Sequence, residues 1–166
     1  MAEDQLSSSN EDRRAAEREQ ASRVDFWYDE KENSTLIANR SLSSVRIQVG
    51  FRLDLPNSRY PEHGTILELG SVPPCTGVHV EINEKLLSSG EMKGYSFAVR
   101  GIAFTDTAGI WWVRREYESL SKVDSREHGK WWREIATRRS IILEEKLING
   151  GYHRKEKTLN DCSVYG

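Results

Sequence analysis

Two tryptophan pairs flanked by cations, Trp111-Trp112-Val113-Arg114-Arg115 and Lys130-Trp131-Trp132-Arg133, carry the strongest chemical signal in the chain. Tryptophan and arginine are the residue types most enriched at binding hot spots, because the indole buries a large apolar area and the guanidinium pairs through a rigid fork of donors. Trp111, Arg115, Trp131, Trp132 and Arg133 are therefore the expected partner-binding residues, acting as hydrophobic anchors with cationic pairing. The same adjacency suits stacking on nucleic-acid bases or residence at a membrane surface.

The other reactive residue types do not assemble into a local motif. No two of His63, His79, His128 and His153 stand three or four apart, so no helical metal-ligand spacing exists. There is no G-x-S-x-G, phosphate-binding glycine loop, H-E-x-x-H or EF-hand sequence. Cys75 and Cys162 are far apart and have no paired spacing, which is neither a disulfide framework nor a zinc pattern. Asp106 and Gly109 read as a turn, the first accepting backbone hydrogen bonds in an Asx arrangement and the second taking a positive φ. No catalytic residue, cofactor or metal is expected. The residual enzymatic alternative is a site that joins His63 to strand residues in three dimensions.

A formal charge of −2 provides no global positive field, which argues against binding to a phosphate backbone by counterion release. A chain of 166 residues with 37% apolar and 30% charged side chains is long enough for one domain, with part of its length outside the core. No run of about 18 apolar residues occurs, and the first residues lack a signal-peptide pattern, so the expected location is cytoplasmic.

Three segments follow from the pattern. Residues 1–23 are charged throughout, and the capping-box spacing of Ser8 and Glu11 predicts a solvated helix over 11–23 behind a disordered tip. Residues 24–117 hold seven candidate strands. The clearest is 45–53, where Val45, Ile47, Val49, Phe51 and Leu53 alternate with Arg46, Gln48, Gly50 and Arg52. Strands this closely spaced, without a crossover helix between them, predict an all-β fold, a seven-stranded antiparallel immunoglobulin-like β-sandwich. Residues 118–166 form a tail with ten basic and eight acidic side chains. It is expected to be partly helical over 137–148, without a clean apolar stripe. Along strand 110–116, Ile110, Trp112 and Arg114 share one face, and Trp111, Val113 and Arg115 the other.

Residues 39–120 resemble a β-sandwich accessory module common in uncharacterised actinobacterial proteins. The likeness rests on Asn39-Arg40-Ser41, the valine-alternating strand, the Pro73-Pro74 turn, and Phe104, Thr105, Asp106, Gly109, Trp112 and Arg114 of an F-T-D-x-x-G-x-x-W-x-R motif. Cys75 stands where that family usually has glycine. The resemblance implies that Trp112 plugs the sandwich end while Arg114 turns outward, leaving Trp111 on the outer face. It further implies a module appended to a transmembrane segment or another domain, preceded by a charged helix, and it brings no activity. The expected function is a non-enzymatic interaction module that contacts a protein partner. A membrane-surface or membrane-protein-associated role is the alternative, and nucleic acid ranks last.

Overall fold

Period-two alternation places Val45, Ile47, Val49, Phe51 and Leu53 on the buried side of β3 (Val45–Asp54), and that strand organises the molecule. The computed structural model describes residues 2–29, 34–54, 63–83, 85, 88, 96–135 and 141–165. The fold is mostly β. One antiparallel sheet has the order β1 (Val24–Asp29), β2 (Ser34–Asn39), β5 (Thr76–Ile82), β9 (Tyr152–Thr158). The other runs β4 (His63–Val72), β3, β6 (Ser96–Thr105), β7 (Trp111–Arg115), β8 (Ser121–Val123). The main apolar core draws Val24, Ile37, Val78 and Val80 from the first sheet. From the second it takes Ile47, Val49, Phe51, Ile102, Phe104 and Trp112, so the sheets lie face to face across it.

Nine strands are present among the described residues rather than the seven expected, and the two additional ones come from beyond residue 117. β9 eluded the sequence pattern because its residues, Tyr-His-Arg-Lys-Glu-Lys-Thr, are mostly charged. Charged side chains are how an edge strand avoids further pairing. Its bonding is specific nonetheless: Lys155 Nζ donates to Glu81 Oε1 at 2.8 Å. That hydrogen bond holds the Glu81 carboxyl below its usual range. Arg154 reaches across to the Leu69 carbonyl of the opposite sheet and pairs with Glu156.

The N-terminal helix α1 spans Ala2–Ser22, so it begins well before residue 11, and Ser8 and Glu11 lie inside it rather than at a cap. Its support comes from the C-terminal end. Ala21 is buried in the shared core, the Leu42 amide donates to Gln20 Oε1 at 3.0 Å, and Lys122 Nζ lies 3.3 Å from Glu17 Oε2. A nucleus fixed by such contacts lets the helix propagate toward the free end at little further cost.

Helix α2 (Ser125–Ile135) begins with a reciprocal capping box: Glu127 N donates to Asp124 Oδ1 at 2.8 Å and Asp124 N to Glu127 Oε2 at 3.1 Å. It lies on the outer face of the second sheet, where Trp131 and Ile135 pack with Ala103 and Val113, flanked by Trp111, Trp132, Ile66 and Val123. That sheet is therefore apolar on both sides. The tail has the apolar stripe that the sequence pattern missed, at positions 128, 131, 132 and 135 of one helix. The later helical segment α3 (Ile141–Lys146) runs into a turn, Leu147–Gly151, whose backbone leaves helical geometry at Asn149 and at Gly150, which has φ +93. Residues 137–140 of the expected helix lie outside the described residues.

Asn39 explains the Asn-x-Ser start of the family-like stretch. Fully buried, its Nδ2 donates to the carbonyls of Ser43, Val72 and Pro73, each at 2.9 Å, while its Oδ1 accepts from Ser41 N and Oγ. One amide thus ties the β2–β3 loop to the β4–β5 turn. In that turn Cys75 adopts φ +55, the left-handed region that glycine enters without steric cost.

Candidate binding cleft

At one end of the molecule the sheets part. The inward-facing residues there are Phe26 of β1, Phe51 of β3, Val80 and Ile82 of β5, and Phe97 and Val99 of β6, which make an apolar floor. The cleft they line has a volume of about 870 Å³. Its rim is charged, with Asp25 on β1 and Arg114, Arg115, Glu116 and Glu118 at the end of β7. The floor is continuous with the shared core: Phe51 and Val80 are buried, and Phe26, Ile82, Phe97 and Val99 pack against it while staying partly open to the cleft.

The rim is cross-linked. Arg114 does not turn outward as the family-like motif implies. Its Nε donates to the Val24 carbonyl at 3.1 Å and lies 3.5 Å from Asp25 Oδ1, and its Nη2 donates to the Ser22 carbonyl at 3.2 Å. The reason is positional: on the same face as Trp112, the side chain is aimed at the opposite sheet, where the Ser22 carbonyl at the end of α1 and the Val24 carbonyl at the start of β1 are acceptors within reach. Arg100 Nη1 pairs with Glu116 Oε2 at 2.8 Å. Arg115 lies 3.2 Å from Glu134 Oε2 of α2 and 3.6 Å from Glu118 Oε2.

Two aromatic residues lining this cleft are exposed, Tyr28 at 59% and Tyr117 at 97%, and Trp27, at 37%, is exposed on the other face of β1. Tyr117 also has φ +62, a left-handed conformation for a residue with a Cβ. Arg40 lies over the Trp27 ring at 5.0 Å and is itself paired to Asp161 at 2.6 Å. The sequence marks Phe26-Trp27-Tyr28 as strand residues only. The signal that could have singled them out is three consecutive aromatics in a strand, which must place a large ring on both faces.

The residues singled out by sequence fall mainly on the opposite, outer face. Trp112 is buried in the shared core, and its Nε1 donates to Asp106 Oδ2 at 3.2 Å. Asp106 Oδ1 meanwhile accepts from the amides of Ala108 and Ile110, closing the turn, with Gly109 at φ +77. Trp111 is half-buried and stacks on His128 of α2. Trp131 is fully buried beneath the same helix, Trp132 is half-buried beside it, and Arg133 is exposed. The structure therefore brings Trp111, Trp131 and Trp132 into one cluster that holds α2 to the sheet, while Arg115 joins that helix to the cleft rim.

Burial lowers the His128 pKa from its ordinary value, and the Glu68 carboxylate opposes that shift. Its Nε2 lies 2.9 Å from Gln48 Oε1. His79, also buried, shares a 2.8 Å hydrogen bond through Nδ1 with Ser34, which satisfies two polar groups at the edge of the cleft. The side chain of His63 lies outside the described residues. Among the described residues no three His, Cys, Asp or Glu side chains are placed to hold a metal ion, and no helix is long and apolar enough to cross a membrane. No protein-family model, curated protein or solved structure matches this chain.

Proposed function

We propose that this chain is a non-enzymatic interaction module whose cleft takes an extended segment of a protein partner. The observation that carries this reading is the exposure of Tyr28 and Tyr117 at one apolar-floored cleft, with Trp27 exposed on the other face of β1. Exposed aromatics gathered at a concave site are the usual material of a binding hot spot, whereas singly scattered ones need no explanation. β1 borders the cleft and is an edge strand, so its outward backbone groups can accept an added strand while the floor takes alternate side chains. The left-handed backbone of Tyr117 costs about 1–3 kcal/mol, a strain typical of positions kept for a purpose other than folding.

The immunoglobulin-like class belongs to the same reading. The first seven strands fall into β1-β2-β5 and β4-β3-β6-β7, which corresponds to the A-B-E and C-F-G groupings of that fold with the fourth strand on the C-F-G side. Such sandwiches use strand edges and end loops as contact surfaces. Within this proposal Arg115 contributes from the rim, and Trp111, Trp131 and Trp132 serve by holding α2 in place. With Trp131 turned inward, the 130–133 stretch presents no paired indoles to a lipid surface, which weighs against the membrane-surface alternative.

The test is selection of displayed linear peptides on the immobilised full chain beside a Tyr28→Ser/Tyr117→Ser variant with unchanged Tm. Peptides enriched on the wild type should bind the variant at least about thirtyfold more weakly, equivalent to one hot-spot residue. Absence of enrichment, or equal binding to both proteins, sinks the proposal. A second reading, a small apolar ligand, draws on the phenylalanine floor and a volume within the range of ligand pockets. It predicts that Phe97→Ser abolishes binding of an environment-sensitive apolar dye while the tyrosine substitutions leave it intact.

A further inference from the structure

The two cysteines, 75 and 162, are separated by most of the chain, yet the fold brings them together. Thr76 of β5 pairs in register with Thr158 of β9, and the Leu159 amide then donates to the Cys75 carbonyl at 2.9 Å. These bonds fix the backbone just before Asn160–Tyr165, a 3₁₀ turn that starts one residue after the bond from Leu159 to the β4–β5 turn. The 2.6 Å pair between Arg40 and Asp161 tethers that turn from the neighbouring loop. Cys162, three residues after the Leu159 amide that bonds the Cys75 carbonyl, is thereby brought beside Cys75, close enough for the two thiols to affect each other's ionisation. Both are free and half-exposed, so a small oxidant can reach them.

We propose that Cys75 and Cys162 form an intramolecular disulfide that clasps the C-terminal turn and β9 to the β4–β5 connection. The co-reactant is a low-molecular-weight disulfide, R–S–S–R. The Cys75 thiolate attacks one sulfur of it, forming Cys75–S–S–R and releasing RS⁻, which takes up a proton as RSH. The Cys162 thiol then loses its proton and attacks the Cys75 sulfur, forming the Cys75–Cys162 bond and expelling the second R group, again as RSH. Two cysteine thiols are oxidised to one disulfide and R–S–S–R is reduced to two RSH, with both protons on the released thiols. Burial, followed by the interaction with Cys75, pushes the Cys162 thiol up to about 11, which makes it the poorer first attacker on an external disulfide.

β4 belongs to one sheet and β5 to the other, so the bond would pin the edge strand β9 at the point where the sheets connect. It would close a long loop of chain, and cross-links of that kind restrict the unfolded ensemble most. The reduced full chain is incubated with oxidised glutathione under native conditions and mapped by mass spectrometry. The result expected is a Cys75–Cys162 linked peptide, with Tm raised by about 10 °C over the reduced protein. The rise should vanish in Cys162→Ser, and equally in wild type whose thiols were alkylated before oxidation, a control that does not depend on the variant folding. Persistent glutathione adducts on either cysteine, disulfide-linked dimers, or a linked peptide with no change in Tm would each overturn the clasp.

Discussion

The imidazole of His128 stacks on the Trp111 ring at 3.9 Å, inclined by 22°, and its centroid lies 6.0 Å from that of Trp131. A titratable ring therefore sits inside the cluster that attaches α2 to the outer face of the second sheet. Burial keeps its folded-state pKa below 6.5. As pH falls, the unfolded chain takes up the proton first, so the contribution of this site to stability is present above about pH 6.5 and lost as pH drops toward the folded value. Thermal unfolding of wild type beside His128→Gln should show a steeper loss of Tm in the wild type between pH 7.5 and 5. Parallel curves would mean that protonation of His128 does not disturb the cluster.

Trp111, Trp112 and Trp131 occupy distinct environments, and Ala substitutions should rank accordingly. Trp112→Ala and Trp131→Ala remove fully enclosed rings and should each cost about 3–5 kcal/mol. Trp111→Ala removes a half-buried ring from the outer cluster and should cost about 1–2 kcal/mol. Chemical denaturation measures all three. Equal losses for Trp111→Ala and Trp112→Ala would contradict the division of the pair between outer and inner faces.

That division is legible in sequence because period two leaves adjacent residues no alternative but opposite faces. β3 is legible for the same reason. Helix α2 was obscured because Gly129 and the cations Arg126, Lys130 and Arg133 interrupt its run, and because part of its packed face is a histidine. The Asp124 and Glu127 capping box was available as a signal. β9 could not be read, since its place depends on β5 accepting it rather than on any apolar pattern of its own. The cleft escaped for a third reason. Alternation predicts which residues point inward but not which of them stay open to a cleft, so Phe26 and Phe97 resemble ordinary core positions.

Arg114 joins three elements, and its removal should be felt at the N-terminus. Arg114→Ala strips the donors from the Val24 and Ser22 carbonyls, a loss of about 2 kcal/mol for charge-assisted bonds on a partly exposed side chain. Hydrogen exchange should accelerate in α1 and β1 while the β3–β6 ladder stays protected. Arg114→Lys can reach one carbonyl but not both, so it should fall between wild type and alanine. Uniform acceleration across both sheets would show that Arg114 supports the core at large rather than the junction with α1.

Gly64 offers a way to release α2 without touching its cluster. A Cβ there would lie 1.8 Å from the Ile135 carbonyl oxygen, so Gly64→Ala must displace the end of the helix from β4. Backbone cannot rotate away as a side chain would, and a loss of at least about 2 kcal/mol is expected. Because Trp131 is buried beneath that helix, its displacement should shift tryptophan emission to longer wavelength in the native state, before global unfolding. Gly70→Ala is the matched control: its φ of +75 makes alanine unfavourable, but nothing lies within 4 Å of the added carbon. It should lower Tm through strain of about 1–2 kcal/mol while leaving the emission maximum unchanged. An unchanged spectrum in Gly64→Ala would mean that α2 follows β4 as a unit, and that the outer-face cluster holds the helix more firmly than the backbone contact at its end.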